Sequence, residues 1–131
     1  MRTPLYFFLL LLVSTFIGCQ SEKKPEDVAA LTAKAYYEQL LEGKYDQFVD
    51  GHYQTDSIPA SYREQLIANA KMFIGQQKDD HRGILQVRIV DAKTDTTHHV
   101  SNVYLALSYG DSTTEEIVVP MVYVKGVWYM K

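Results

Sequence analysis

The sequence predicts an α+β domain in which three helices precede a curved, four-stranded antiparallel sheet and pack on it. Three observations carry this reading. From Ile84 onward the chain divides into four strand-like runs, Ile84–Lys93, Val100–Tyr109, Glu115–Lys125 and Val127–Lys131, separated by polar turns. Within the second run, Val103, Leu105, Leu107 and Tyr109 recur at every other position and so share one face. An apolar sheet face needs a covering layer, and only the residues before it have the spacing of helices.

The first helix opens at Pro25-Glu26-Asp27. Proline suits the first helical position because its missing N–H has no partner there, and the two acids face the positive end of the helix dipole. Ala29, Ala33, Tyr36, Tyr37, Leu40 and Leu41 form its apolar stripe, and Gly43 stops it after Glu42. A short second helix spans Tyr45 to Asp50 and stops at Gly51. The third starts near Ser57-Ile58-Pro59 and continues to Ile74, with Tyr62, Leu66, Ala70 and Phe73 on its buried side.

In the third strand, Ile117 to Val124 is apolar on both faces, so a cover is expected on each. Pro120 within it requires a bulge or a free edge, since proline cannot donate to the ladder. Lys125-Gly126 makes a two-residue hairpin. Gln86, Arg88 and Asn102 are expected to point away from the core.

Residues 1–18 read as an export signal: Arg2 is followed by an apolar stretch from Leu5 to Ile17. That stretch is well short of the ~20 residues of a spanning helix. Phe16-Ile17-Gly18-Cys19 resembles the bacterial lipoprotein signal, in which a small residue precedes a cysteine that is lipidated on sulfur and becomes the new N-terminus. The resemblance implies that Cys19, the only cysteine of the chain, carries palmitate-type acyl chains into the lipid bilayer. A single cysteine also excludes an intramolecular disulfide. Residues 19–24 are then the lipidated cysteine and a polar tether, and 25–131 the folded domain. Gln20 is not the Asp that resembles an inner-membrane retention signal, which implies an outer membrane if the host has one. The chain carries 16 acidic and 13 basic residues, and removing 1–18 takes away only Arg2. With no basic stripe, nucleic acid is not an expected partner.

The ordered pair of a helix opened by Pro25-Glu26-Asp27 and the turn Leu41-Glu42-Gly43-Lys44-Tyr45-Asp46 resembles the nuclear transport factor 2-like superfamily. So does the ending Val122 to Met130, whose Gly-x-Trp turn at Gly126-Val127-Trp128 would place the Trp inward. The closest resemblance is to bacterial lipoproteins of the domain-of-unknown-function 4878 type, and it covers Pro25 to Met130. It implies a cone-shaped fold, with a sheet wrapped on the long first helix and in some members an open pocket. Enzymes of the superfamily have a carboxylate or a His–Asp pair at the cone mouth, which here implies Asp46, Asp50 and His52. Asp46 serves equally well as a helix cap, and Asp50 and His52 as turn residues.

Ten tyrosines, all but Tyr6 beyond the signal, need an account. Either they fill a wide cone, or rings such as Tyr37, Tyr45, Phe48, Tyr104 and Trp128 line a pocket for a small apolar ligand. His52, His81, His98 and His99 lack metal-ligand spacing, no nucleophile or phosphate-loop motif occurs, and no cofactor is expected. The reading is a non-catalytic binding or interaction domain, lipid-anchored in the cell envelope, for a small ligand or an envelope protein. The alternative is an isomerase- or dehydratase-like enzyme with an acid or His at the cone mouth. A cavity of about 300 Å³ or more with an ionisable group would favour a ligand binder or an enzyme over a filled cone.

Overall fold

A computed structural model describes residues 25–131, and the expected signal, Cys19 and the tether lie outside them. Helices α1 (Pro25–Leu41), α2 (Tyr45–Asp50) and α3 (Ala60–His81) are followed by strands β1 (Ile84–Asp95), β2 (Val100–Tyr109), β3 (Thr114–Val124) and β4 (Val127–Met130). The strands form one antiparallel meander in sequence order. The architecture is the predicted one, an α+β fold with three helices before a four-stranded antiparallel sheet.

The core is the inner face of this sheet under α1. Ala29, Ala30 and Ala33 are fully buried against Val103, Leu105, Leu107, Val119 and Met121. Small residues on the helix let its backbone come close to the sheet, and the larger side chains of the strands fill the space. Ser101 is the one buried polar side chain of this face among the described residues, and its hydroxyl pairs with that of Thr94 at 2.8 Å. Trp128 is buried on the same face, as the resemblance of its turn implied. Register shifts in β1 at Leu85 and Val90 push both side chains out of the ladder, and such bulges increase the local bend and twist of a strand.

Gly43 adopts the left-handed conformation expected at a helix end, with φ of 81°. Gly51 does not: its φ is −72°. Glycine is required there by a close approach, because an added Cβ would lie 2.6 Å from ring carbons of Tyr36. The Tyr36 hydroxyl donates to the carbonyl of Trp128 at 2.8 Å, so the ring cannot simply swing away. Lys125 and Gly126, with φ of 49° and 83°, form the hairpin turn. Pro120 stays in register opposite Asn102, and its carbonyl accepts from Lys131 just beyond the end of β4. Its missing N–H points to the same side, past the last residue of β4, so no strand bond is lost.

The third helix departs from expectation at both ends and in what it buries. It begins at Ala60, after Pro59, and runs through Gly75 to His81. The good helix formers Gln76, Gln77 and Lys78 carry it past the glycine, and Lys78 and His81 suit the negative end of the dipole. Left-handed Arg82 and Gly83, with φ of 62° and 87°, then end it. Of the four residues expected on its buried side only Ala70 is buried, while Tyr62 is 52% and Phe73 37% exposed. The helix leans on α2 through Arg63 and Lys71 and does not lie across the sheet. The expected cover on both faces of β3 is also absent among the described residues: Val119 and Met121 are buried, but Val118 is 52% exposed.

The helix end is fastened to the β2–β3 turn. His81 Nδ1 lies 2.9 Å from Asp111, its ring lies against Tyr109 with centroids 4.6 Å apart, and the Asp111 amide donates to the His81 carbonyl. Hydrogen bonds from Thr113 and His81 hold the Asp111 carboxyl down at about 2. A carboxyl lowered on folding stabilises the fold above its ordinary value of 3.8 and loses that contribution as pH falls through about 2. Asp111→Asn should therefore be less stable than the parent at neutral pH, with the gap closing as pH falls. Urea unfolding at several pH values measures this, and a gap independent of pH would contradict it.

Gly51→Ala should cost ~1–3 kcal/mol, the usual cost of forcing an extra carbon into a packed site. Combined with Tyr36→Ala, the loss should be smaller than the sum of the single losses, since the colliding ring is gone. A thermal or denaturant double-mutant cycle provides the check.

Candidate functional site

The sheet ladder determines where the chain opens. After α2 ends, the Met130 amide donates to the Gly51 carbonyl and the Tyr53 amide to the Met130 carbonyl, at 2.8 and 2.7 Å. His52 thereby forms a short parallel bridge to β4. Beyond it, residues 54–59 have no strand partner, and they arch between α2, the start of α3 and the β3–β4 hairpin. A cavity of about 480 Å³ lies beneath this arch.

Its apolar surfaces come from Val49, Ile58, Val124 and the rings of Tyr53 and Tyr129, whose centroids are 5.9 Å apart. Its charged residues are Asp50, Asp56, Arg63 and Lys125. Arg63 donates from Nε and a terminal nitrogen to the two oxygens of Asp50, at 2.9 and 2.8 Å. This two-pronged contact, with the adjacent positive charge, lowers the Asp50 carboxyl below its ordinary value and raises Arg63. Asp50 is thus an ionised anchor for Arg63 and a poor proton carrier.

His52 completes the lining. Its Nδ1 lies 3.1 Å from the Phe48 carbonyl and 3.3 Å from that of Val49. Carbonyl oxygens only accept, so Nδ1 must carry the proton, and in the neutral ring Nε2 is left as the acceptor. The ring packs edge-on against Phe48 at 5.2 Å, which fixes its plane.

Of the residues implied by resemblance, Asp50 and His52 are brought together at this cavity. Asp46 is exposed in the first turn of α2, outside the lining, and no side chain caps that helix, so the expected cap is not made. The five rings considered as a pocket lining, Tyr37, Tyr45, Phe48, Tyr104 and Trp128, do not line this cavity. Tyr37 and Phe48 pack edge to face at 5.4 Å beside the core. Trp128 is in the core, Tyr45 sits beneath the Lys71 ammonium, and Tyr104 is on the opposite face of the sheet beside Lys93. The inner face of the sheet is filled under α1, and this cavity opens to the side of it.

The sequence reading missed Arg63, Tyr53, Tyr129, Lys125 and Asp56. The available signal was the polar run from Gln54 to Ser57 before Pro59, too long for a tight turn and placed between two helices. His98 and His81 each meet a carboxylate, Asp95 at 2.6 Å and Asp111 at 2.9 Å. Among the described residues no group of three or more His, Cys, Asp or Glu side chains is arranged to hold a metal ion. No described helix is long and apolar enough to cross a membrane.

The fold class is α+β, with three helices before a four-stranded antiparallel sheet, and comparison with solved structures agrees on the fold. The chain is similar to an NTF2-like transpeptidase from Campylobacter jejuni, with 11% identity, a TM-score of 0.62, and 82% of this chain and 97% of that one covered. It is also similar to a SEC-C motif containing protein from Rhodopseudomonas palustris, with 12% identity, a TM-score of 0.52, and 78% and 76% covered. At these identities the likeness is one of fold. No family model matches the chain, and no curated protein sequence matches it.

Arg63→Gln should remove both donors that hold the Asp50 carboxyl down. Its pKa should then rise toward the ordinary carboxylate value, as followed by carboxyl-carbon NMR through a pH titration. An unchanged Asp50 titration would show that the ion pair is not formed in solution.

Proposed function

We propose that this chain is a lipoprotein of the cell envelope whose domain is a non-catalytic binder of a small ligand. The observation that carries the binding part is the cavity of about 480 Å³, which joins facing tyrosines to fixed charges. Its volume lies in the range of small-molecule sites, and the mixture of apolar surface with a few oriented polar groups is what such sites use. The ligand that matches it has a flat or apolar body for Tyr53 and Tyr129 and polar groups of both signs for its rim.

The anchoring part rests on Gly18-Cys19 and the apolar run before it. Acyl chains contribute about 0.8 kcal/mol per buried methylene, and two or more chains are needed for stable attachment. The domain is assigned to the extracytoplasmic side, on the outer membrane where the host has one. The likeness to bacterial lipoproteins of the domain-of-unknown-function 4878 type supports the same reading.

A second reading is favoured by one observation, the free Nε2 of His52 at the cavity. An isomerase- or dehydratase-like enzyme could use it as a general base, a role worth ~10²–10⁴-fold in rate.

The test has two arms, both in the native host. Cys19→Ser should abolish incorporation of labelled fatty acid and leave the precursor unprocessed; continued labelling would overturn the anchor. Native mass spectrometry of the detergent-extracted protein should show a bound small molecule, lost in Tyr53→Ala. A chain that never carries an adduct would count against the binding reading. His52→Asn at normal abundance should still complement a deletion strain, and failure would promote the enzyme.

A further inference from the structure

The four charges that line the cavity under the arch are not equivalent. Asp50 and Arg63 answer each other through two hydrogen bonds, at 2.9 and 2.8 Å, so their charges largely cancel within the wall. Asp56 and Lys125 line the same cavity, and neither forms an ion pair among the described residues. They come from opposite banks. Asp56 belongs to the arch before α3, and Lys125 to the hairpin between β3 and β4, where its left-handed backbone, with φ of 49°, forms the turn. The lining therefore offers one unanswered anion and one unanswered cation on either side of the Tyr53 and Tyr129 rings.

Resting on the reading of this cavity as a ligand site, we propose that its ligand is a free α-amino acid with an aromatic side chain. Lys125 takes the carboxylate, Asp56 takes the ammonium, and the ring lies against the two tyrosines. Electrostatics disfavours the simpler candidates. A ligand with only a carboxylate sets it beside Asp56, and one with only an amine sets it beside Lys125; like-charge contacts of this kind reject wrong partners. An uncharged aromatic molecule strips water from both side chains and returns no hydrogen bond to either. A zwitterion answers both, through charge-assisted hydrogen bonds about twice as strong as neutral ones. His52 favours the same ligand. With the proton on Nδ1, its Nε2 accepts a bond from an ammonium group and has none to give a carboxylate. At about 480 Å³ the cavity lies toward the small end of ligand pockets, which suits one amino acid better than a larger metabolite.

The two charges can be tested separately. Full-length protein in a non-ionic detergent is titrated calorimetrically at neutral pH with L-phenylalanine, L-tyrosine and L-tryptophan. The tightest binder is then compared with its decarboxylated and deaminated analogues, and loss of either charge should weaken binding by about tenfold or more. Lys125→Gln should weaken the amino acid by a similar factor without weakening the decarboxylated amine. Asp56→Asn should weaken the amino acid without weakening the deaminated acid. A misfolded variant would lose every probe and cannot give this crossed pattern. An amino acid held no more tightly than its single-charge analogues overturns the proposal. So does a protein that carries a native adduct in mass spectrometry yet binds none of the three amino acids, a result that leaves the ligand-site reading standing. A protein with neither adduct nor binding overturns both.

Discussion

The Tyr36 side chain is the contact on which the arrangement depends. Its ring occupies the space a Cβ on residue 51 would need, and its hydroxyl holds the Trp128 carbonyl. One residue of α1 thus fixes where α2 ends and where β4 lies. Burial, with the nearby Tyr129, raises its pKa, so the hydroxyl remains a donor throughout the ordinary pH range. Each of the two anchored segments leads into the cavity. Gly51 is followed by His52 and Tyr53, and Trp128 by Tyr129. The lining is therefore positioned by the core, although the arch that closes it is a loop. That division is common where binding residues sit on loops held by a rigid scaffold.

The sheet was legible because its period is strict. A strand with Leu105 and Leu107 inward cannot slip by one residue without exposing both, so pattern and register agree. The hairpin at Lys125-Gly126 followed from local chemistry, and the inward Trp128 from the resemblance of the closing turn. The third helix was less legible because its apolar residues do not all serve one contact. Tyr62, Phe73 and Met72 remain substantially exposed while Ala70 is buried, so an apolar spacing did not identify a buried stripe. The glycine at 75 suggested a stop, but cooperative hydrogen bonding on both sides carries a helix through one unfavourable residue.

The candidate site was half legible, for a physical reason. Asp50 and His52 were implied by the resemblance, and both border the short helix that Gly51 ends. Arg63 reaches Asp50 across thirteen residues, and Lys125 and Tyr129 come from the far end of the chain. No local period encodes such a meeting; it follows from the His52–Met130 bridge, which exists only once the sheet is formed. The aromatic residues misled in a related way. Composition shows that many rings must be placed, but Tyr37 and Tyr104 lie on opposite sides of the sheet because one is carried by a covering helix and the other by an outward strand position.

Two of the surfaces that the fold leaves open differ in chemistry. The cavity is concave, charged and walled by side chains whose donors and acceptors are already oriented: Arg63 by Asp50, and His52 by the Phe48 carbonyl. Orientation in advance lowers the entropy a small ligand must lose on binding, which favours a concave site for a molecule with few atoms. The outer face of the sheet is broad and is built from strand positions spaced evenly along the ladder. It has little depth to enclose a small molecule. Tyr104 and Val118 point away from the layer that carries Tyr36 and the α2 helix, so that face and the arch over residues 54–59 are separate surfaces.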